Sequence, residues 1–264
     1  MPASIPTSLA SWNVNSIRAR KDRTLAWLET YQPEVLCLQE TKVTDDAFPR
    51  ADFEALGYHV TTCGQKTYNG MALLSRTEPS DVIRRFDDDD AEPEARFLSA
   101  RFADLQIICV YVPNGQVVGS DKYAYKLAWL DRLQRHLERH CDPDQPLVLC
   151  GDLNIAPEDR DVCEPAAWAE TVLCEPGVRD AFRRLCGWGL VDTFRLHHDA
   201  EKLYSWWDYR QLAFQKNQGL RIDHILVTRT LAQHCTGVHI DRQARKGKGA
   251  SDHAPVLATF SNEG

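Results

Sequence analysis

Two rhythms of apolar and polar residues alternate along the chain. Short apolar runs, many rich in β-branched residues, cover Leu9–Val14, Val35–Gln39, Tyr58–Cys63, Met71–Leu74, Phe97–Phe102, Leu105–Val112, Leu147–Cys150, Ile222–Thr228 and Pro255–Phe260. Each has strand length, and polar or turn residues bound most of them. Between some lie stretches with the helical period. "DKYAYKLAWLDRLQRHLERH" sets Leu127, Leu130, Leu133 and Leu137 on one face with charges opposite, the stripe of an amphipathic helix. "RKDRTLAWLETYQ" predicts a second helix with Leu25 and Leu28 inward, and "PGVRDAFRRLCGWG" a third, ended by Gly187 and Gly189. Strands and helices mix throughout, and no Gly/Ser/Pro-rich linker divides the chain. The pattern predicts one α/β domain over residues 1–264, with two packed sheets flanked by helices.

Composition changes this picture little. A hydrophobic content of 43% and a charged content of 26% are ordinary for a soluble globular protein. No run approaches the ~18 apolar residues of a membrane span. The start, "MPASIPTSLASW", lacks the basic opening and apolar centre of a secretory signal. Nine cysteines, an odd number with no C-x-x-C pair, fit reduced thiols in a cytoplasmic protein. Cys37, Cys109 and Cys150 sit inside apolar runs, where a thiol behaves as a small hydrophobe. The net charge of −7 argues against a protein that grips nucleic acid with its whole surface. It leaves room for local contact with a phosphodiester. "DRQARKGKG" (241–249) is a basic, glycine-containing loop suited to that contact, whereas the acidic run Asp87–Glu94 reads as a solvent-facing loop.

The candidate chemistry gathers where apolar runs end. "GKGASDHAPV" sets Asp252 beside His253, yet neighbours in an extended segment point to opposite faces, so each needs a partner from elsewhere. "LRIDHILV" places Asp223 inside an apolar strand, where an unpaired charge would cost several kcal/mol. Sequential strands usually neighbour in space, which pairs His253 with Asp223. His224, one residue on, faces away by strand alternation. "PEVLCLQE" and "PLVLCGDLN" both run a buried strand into an acid, Glu40 or Asp152. Asn13, Asn15, Tyr111, Asn114 and Asn154 occupy similar positions, at the strand ends where ligand sites of α/β proteins collect. Carboxylates and amides without thiolates suit a hard cation such as Mg2+ or Mn2+. An imidazole oriented by a buried carboxylate, with a phenol and amides nearby, completes a tool set for hydrolysing a phosphate ester.

"SWNVNSIRAR", "LCLQETKV", "YVPNG", "GDLNIAP", "WGLVDTFR", "YSWWDYR", "GLRIDHIL" and "SDHAPV" follow one another in this order. Together they resemble the exonuclease III family of apurinic/apyrimidinic endonucleases, from about Ser11 to Phe260. The resemblance implies a four-layer α/β sandwich with its site at one end of two facing sheets. It implies Mg2+, for which Mn2+ can substitute, held by Glu40 with Asn13 and Asp252, and with Asp152, Asn154 and His253 able to share ligation. It further implies that Asp152 deprotonates the attacking water, that Asn154 and Tyr111 contact the phosphate, and that Asp223 holds His253. Implied DNA contacts are Lys42, Arg96, Asn114, Lys122, Trp206 and Arg221, and one of Trp206 and Trp207 with Leu220 and Ile222 builds an apolar pocket for a base-free sugar. The expected partner is double-stranded DNA with abasic sites or blocked 3′ ends, bound by a monomer away from any membrane. The expected activities are incision 5′ to an abasic site, leaving a 3′-hydroxyl, and 3′→5′ exonuclease and 3′-end cleaning. Competing expectations are another phosphoesterase of the wider superfamily, such as an inositol polyphosphate phosphatase, and a damage-binding protein without catalysis. The chain departs from the family pattern at Ser16, where a glycine is usual, and at Asn114, where bacterial relatives often carry Gln.

Overall fold

The computed structural model describes residues 6–88 and 94–261. Two mixed six-stranded sheets face each other across a shared core. The first runs β11 (Cys235–Ile240), β12 (Val256–Phe260), β1 (Ser8–Asn13), β2 (Val35–Gln39), β4 (Met71–Ser75), β3 (His59–Cys63). The second runs β5 (Ser80–Ile83), β6 (Phe97–Phe102), β7 (Leu105–Tyr111), β8 (Leu147–Asp152), β10 (Asp223–Thr228), β9 (Leu190–Asp192). All nine apolar runs form strands, with ends displaced by no more than a residue or two. The strands that the pattern misses, β5, β9 and β11, are all edge strands. β5 and β11 are largely exposed and β9 has only three residues, so none carries a sustained apolar run.

The three expected helices are present as Ile17–Tyr31, Asp121–His140 and Pro176–Trp188. Gly189 caps the last of them, whereas Gly187 lies inside it. Leu130, Leu133, Leu137, Val178 and Phe182 from the second and third helices pack on Ile108, Leu149 and Leu226 of the second sheet. Ile17 and Leu28 of the first helix pack on Leu36 and Leu38 of the first sheet. Between the sheets, Leu9, Leu73, Ile107 and Ile225 interdigitate with Cys37, Cys109 and Cys150. Those three thiols meet within 4.8 Å of one another, a convergence across two sheets that their sequence spacing gives no hint of. The result is the expected four-layer sandwich, helix on sheet on sheet on helix. Of the acidic run, residues 89–93 lie outside the described residues, while Asp88 pairs with Arg132 and Glu94 with Arg96 at its two ends.

Strand direction explains where the polar residues collect. β1 and β2 are parallel, as are β7 and β8, while β12 is antiparallel to β1 and β10 to β8. The ends of β1, β2, β7 and β8 and the beginnings of β10 and β12 therefore share one end of the sandwich. Register finishes the job: Tyr111, Asp152 and Asp223 lie side by side across three strands and so point to one face. Gly151 lets the strands close up there. It holds φ 142°, and a Cβ would come within 1.9 Å of the Val110 carbonyl oxygen.

Candidate active site

At this end the two sheets are tied together by one amide. Asn13, fully buried, donates from Nδ2 to Glu40 Oε1 (2.8 Å) and across the sheets to Asp152 Oδ2 (2.9 Å). Its Oδ1 accepts from the Asn15 backbone N–H (3.0 Å), which fixes the amide's orientation. Asn13 thus spaces the two acids, with its oxygen engaged by the Asn15 backbone. Asp152 Oδ1 accepts from the Asn154 N–H (2.9 Å).

His253 lies between two carboxylates. Its Nδ1 faces both oxygens of Asp223 (3.0 and 2.9 Å), and its Nε2 is 3.7 Å from Asp152 Oδ2. The Ser205 hydroxyl donates to Asp223 Oδ2 (2.6 Å) and holds the acid in place. Burial alone would lower the imidazole's proton affinity, but the charges of Asp223 and Asp152 overcome it and push His253 up to about 10. Burial pushes Asp152 up to about 7, with the negative charges of Asp223 and Glu40 adding to it and His253 opposing. Glu40 is also raised by burial, yet the Lys42 ammonium and the Asn13 amide bring it below the usual carboxylate range. Burial raises the Tyr111 phenol well above its ordinary value, helped by Glu40 and Asp152.

A cavity of about 550 Å3 opens over these groups, lined by Glu40, Tyr111, Asn114, Asp152, Asn154, Trp206, Ile222, Asp252 and His253 among others. A depression of similar volume, about 570 Å3, lies beside β3 between Arg50 and Arg84. It gathers no comparable constellation.

The ligand-type atoms of Glu40, Asp152 and His253 lie within 4.8 Å of one another. Four acids (Glu40, Asp152, Asp223, Asp252) gather here against Lys42 and a protonated His253, so acids outnumber cations. Lys42 Nζ already leans on Glu40 Oε2 (2.8 Å), so this corner attracts positive charge. Hard oxygen donors with that deficit fit a divalent cation such as Mg2+. Asp252 stands at the rim rather than in the cluster, its oxygens accepting from Asn15 Nδ2 and Trp206 Nε1 (3.0 Å each). Asn154 Oδ1 accepts from Asn114 Nδ2 (3.1 Å), and both amides line the cavity.

The expected DNA contacts separate. Trp206 lines the cavity, and Trp207 is fully buried against Phe214. Ile222 lines the cavity too, while Leu220 is buried behind Trp206, hydrogen-bonded to its backbone. Lys42 folds onto Glu40, and Arg96 covers the Tyr111 ring at 4.6 Å, so both shape the site from within. Lys122 is exposed on the first turn of the Asp121–His140 helix, outside the cavity lining. Arg221 is corrected: it is 1% exposed and paired with Asp161 (2.7 Å) and Asp192 (2.8 Å). Arg221 precedes the first residue of β10 and turns inward to its two acids, while Ile222 faces the cavity; His224, inside the strand and on the face opposite Asp223, contacts Arg221 and the Ile155 carbonyl. The basic loop is also more structural than expected. Arg242 and Arg245 stack on aromatic rings, and only Lys246 and Lys248 of its basic residues are exposed. Ser16 adopts φ 88° and caps the first helix, filling the glycine position with backbone strain.

The signature of a known family spans this whole architecture: the Endonuclease/Exonuclease/phosphatase family profile matches residues 10–253. The chain belongs to that family. Among curated relatives, exodeoxyribonuclease III of Haemophilus influenzae is 40% identical over 262 residues, covering 95% of this chain and 98% of its own. Among solved structures, an AP endonuclease from Archaeoglobus fulgidus superposes with a TM-score of 0.93 at 40% identity, covering 96% of this chain and 99% of that one. The 3′ phosphatase NExo from Neisseria, bound to a product DNA hairpin, gives 0.92 at 38% identity, covering 97% and 99%. Endonuclease/Exonuclease/phosphatase chemistry therefore frames the geometry above. Sequence reasoning passed over Ser205, which locks Asp223, and Trp168, which meets Trp206 edge-on at 6.2 Å. Ser205 lies inside the YSWWDYR block, and Trp168 lies in none of the blocks quoted.

Proposed function

We propose that the chain is a metal-dependent DNA-repair phosphodiesterase. It incises the backbone 5′ to abasic sites, leaves a 3′-hydroxyl, and trims or cleans blocked 3′ ends. The observation that carries this reading is the Asn13-bridged Glu40–Asp152 pair with His253 held between Asp152 and Asp223. The reaction is in-line attack of water on phosphorus. Asp152, whose proton affinity burial raises above the usual carboxylate range, takes the proton of the attacking water as general base. His253, protonated at neutral pH, donates from Nε2 toward the phosphoryl oxygen as negative charge grows there. The Tyr111 phenol and the free N–H of the Asn114 amide are the neutral donors beside it. Glu40 and Asp152 would hold Mg2+, which supplies positive charge for the phosphate and the departing 3′ oxygen. Selection of damage falls to Trp206 and Ile222: a nucleotide without its base swings out of the duplex at lower cost, and its sugar meets their apolar surface. The chain acts as a monomer.

The test compares a duplex carrying one tetrahydrofuran abasic analogue with intact duplex, 3′-phosphorylated duplex and an inositol polyphosphate, each with Mg2+, Mn2+ or chelator. Incision 5′ of the analogue that chelator abolishes is expected. Equal rates on intact and abasic duplex would remove the endonuclease claim, and turnover of the inositol phosphate alone would reassign the substrate.

A further inference from the structure

The Asp121–His140 helix carries one charge on its apolar face. Lys126 stands among Tyr123, Leu130 and Leu133 and is 0% exposed. A buried ammonium costs several kcal/mol unless its donors are met, and Lys126 has no carboxylate in ion-pair range among the described residues. Three backbone carbonyls meet it instead: Asn114 (3.2 Å), Asn154 (2.7 Å) and Val172 (2.6 Å). They belong to three separate segments, and Asn114, Asn154 and Val172 all line the active-site cavity. The loop also packs on the lysine stem, since a Cβ at Gly115 would lie 3.0 Å from Lys126 Cδ.

The Asn154 connection is the informative one. Its carbonyl accepts from Lys126, its N–H donates to Asp152 Oδ1 and its side-chain oxygen accepts from Asn114. Asn154 holds this arrangement at φ 52°, a left-handed conformation that a non-glycine residue keeps only when its surroundings over-determine it. We propose that Lys126 is a positioning residue, whose ammonium locks the Asn154 peptide and thereby sets the Asp152 carboxylate and the Asn114–Asn154 amide pair for reaction. It touches no substrate atom. It acts on the transition state through the orientation of groups that do, and leaves the Glu40 side of the site alone.

This inference rests on the proposed reaction, and wild-type cleavage of the tetrahydrofuran duplex tests that reaction separately. Lys126→Met keeps the stem and removes the donors; Lys126→Gln restores part of them. Each is assayed for kcat, KM and Mg2+ half-saturation, with a thermal melt alongside. Folded Lys126→Met is expected to lose kcat on the order of 10²-fold at saturating Mg2+, the scale of an ångström's misplacement, with KM within about threefold of wild type on the same reasoning and, since Asp152 shares the ion, Mg2+ half-saturation raised. Lys126→Gln is expected to fall between. A wild-type kcat at saturating Mg2+ in either folded variant overturns the proposal, as does a loss that tracks KM. If Lys126→Met does not melt cooperatively, Lys126→Gln decides by the same criterion; if neither does, Lys126 serves the fold alone and the proposal falls.

Discussion

Two clusters of buried charge lie within a few residues of each other on and around β10, and they are built to opposite ends. Around Arg221, two guanidiniums (Arg221, Arg195) meet two carboxylates (Asp161, Asp192) in direct ion pairs. The charges balance, and Asp161 is fully buried. Around Asp223, one residue pair further along, acids outnumber cations and a cavity of about 550 Å3 lies over them. Burial and altered proton affinity are common to both: Asp161 is held low, its burial overcome by Arg221 and Arg195, while Asp152 is pushed up to about 7. What separates a structural ion pair from a reactive site is therefore the unbalanced charge and the open space beside it. Removing a charge should hurt stability in the first cluster and turnover in the second.

The largest test is at the second cluster. Asp152→Asn and His253→Ala are each expected to cut turnover by ~10²-fold or more, read as single-turnover cleavage of the abasic duplex. Asp152→Asn should leave the melting temperature unchanged or raised, because it removes one of four crowded acids. Normal turnover in either variant would erase the contrast. Asp161→Ala should do the reverse. Leaving Arg195 without its acid and Arg221 with Asp192 alone costs about 3–5 kcal/mol of stability, read by urea unfolding, while the folded fraction keeps its turnover.

Acidity sharpens the contrast further. Burial, reinforced by the charge of Arg221, lowers His224 to about 4. Its unfolded value, about 6.5, is higher, so acid protonates the unfolded chain first. The contribution of neutral His224 is complete above pH 6.5 and disappears as pH falls toward 4, up to about 3 kcal/mol. His253, raised to about 10, contributes in the opposite window: complete below about pH 6.5 and lost as pH climbs to 10. Urea unfolding across pH should show His224→Gln flattening the acid limb only, and His253→Ala flattening the alkaline limb only. The smallest effect belongs to neither cluster. Lys122→Ala, exposed and outside the cavity lining, is expected to shift KM by no more than about twofold in the cleavage assay, with kcat unchanged.

Much of this organisation was legible in the sequence, and the failures share a cause. The strands facing both a sheet partner and a helix layer carry long apolar runs and were readable; β5, β9 and β11 at the sheet margins bury too little to leave a trace. His253 and Asp223 could be paired because a charge in an apolar strand demands a partner, although β10 and β12 stand in facing sheets rather than as neighbouring strands. Arg221 obeys the same rule, since it too stands in an apolar segment. Alternation back from Asp223 would set it on the site's face, but it lies before β10 and turns inward to Asp161 and Asp192, partners from distant segments. Lys126 left a comparable mark, a charge in line with Tyr123, Leu130 and Leu133 on the apolar face of its helix. Asn13 was legible as a polar residue at a strand end, but the orientation of its amide depends on the Asn15 backbone, which no spacing reveals.

By itself, the sequence determined the alternation of strands and helices, the acids and imidazole at strand ends and the need for a partner at Asp223, because periodicity and the cost of burying charge act locally. Only the tertiary structure decided which strands run parallel, which of Trp206 and Trp207 meets the cavity and which carbonyls surround Lys126. These depend on register and on contacts between residues tens to hundreds of positions apart, where a shift of one residue would turn every side chain to the opposite face.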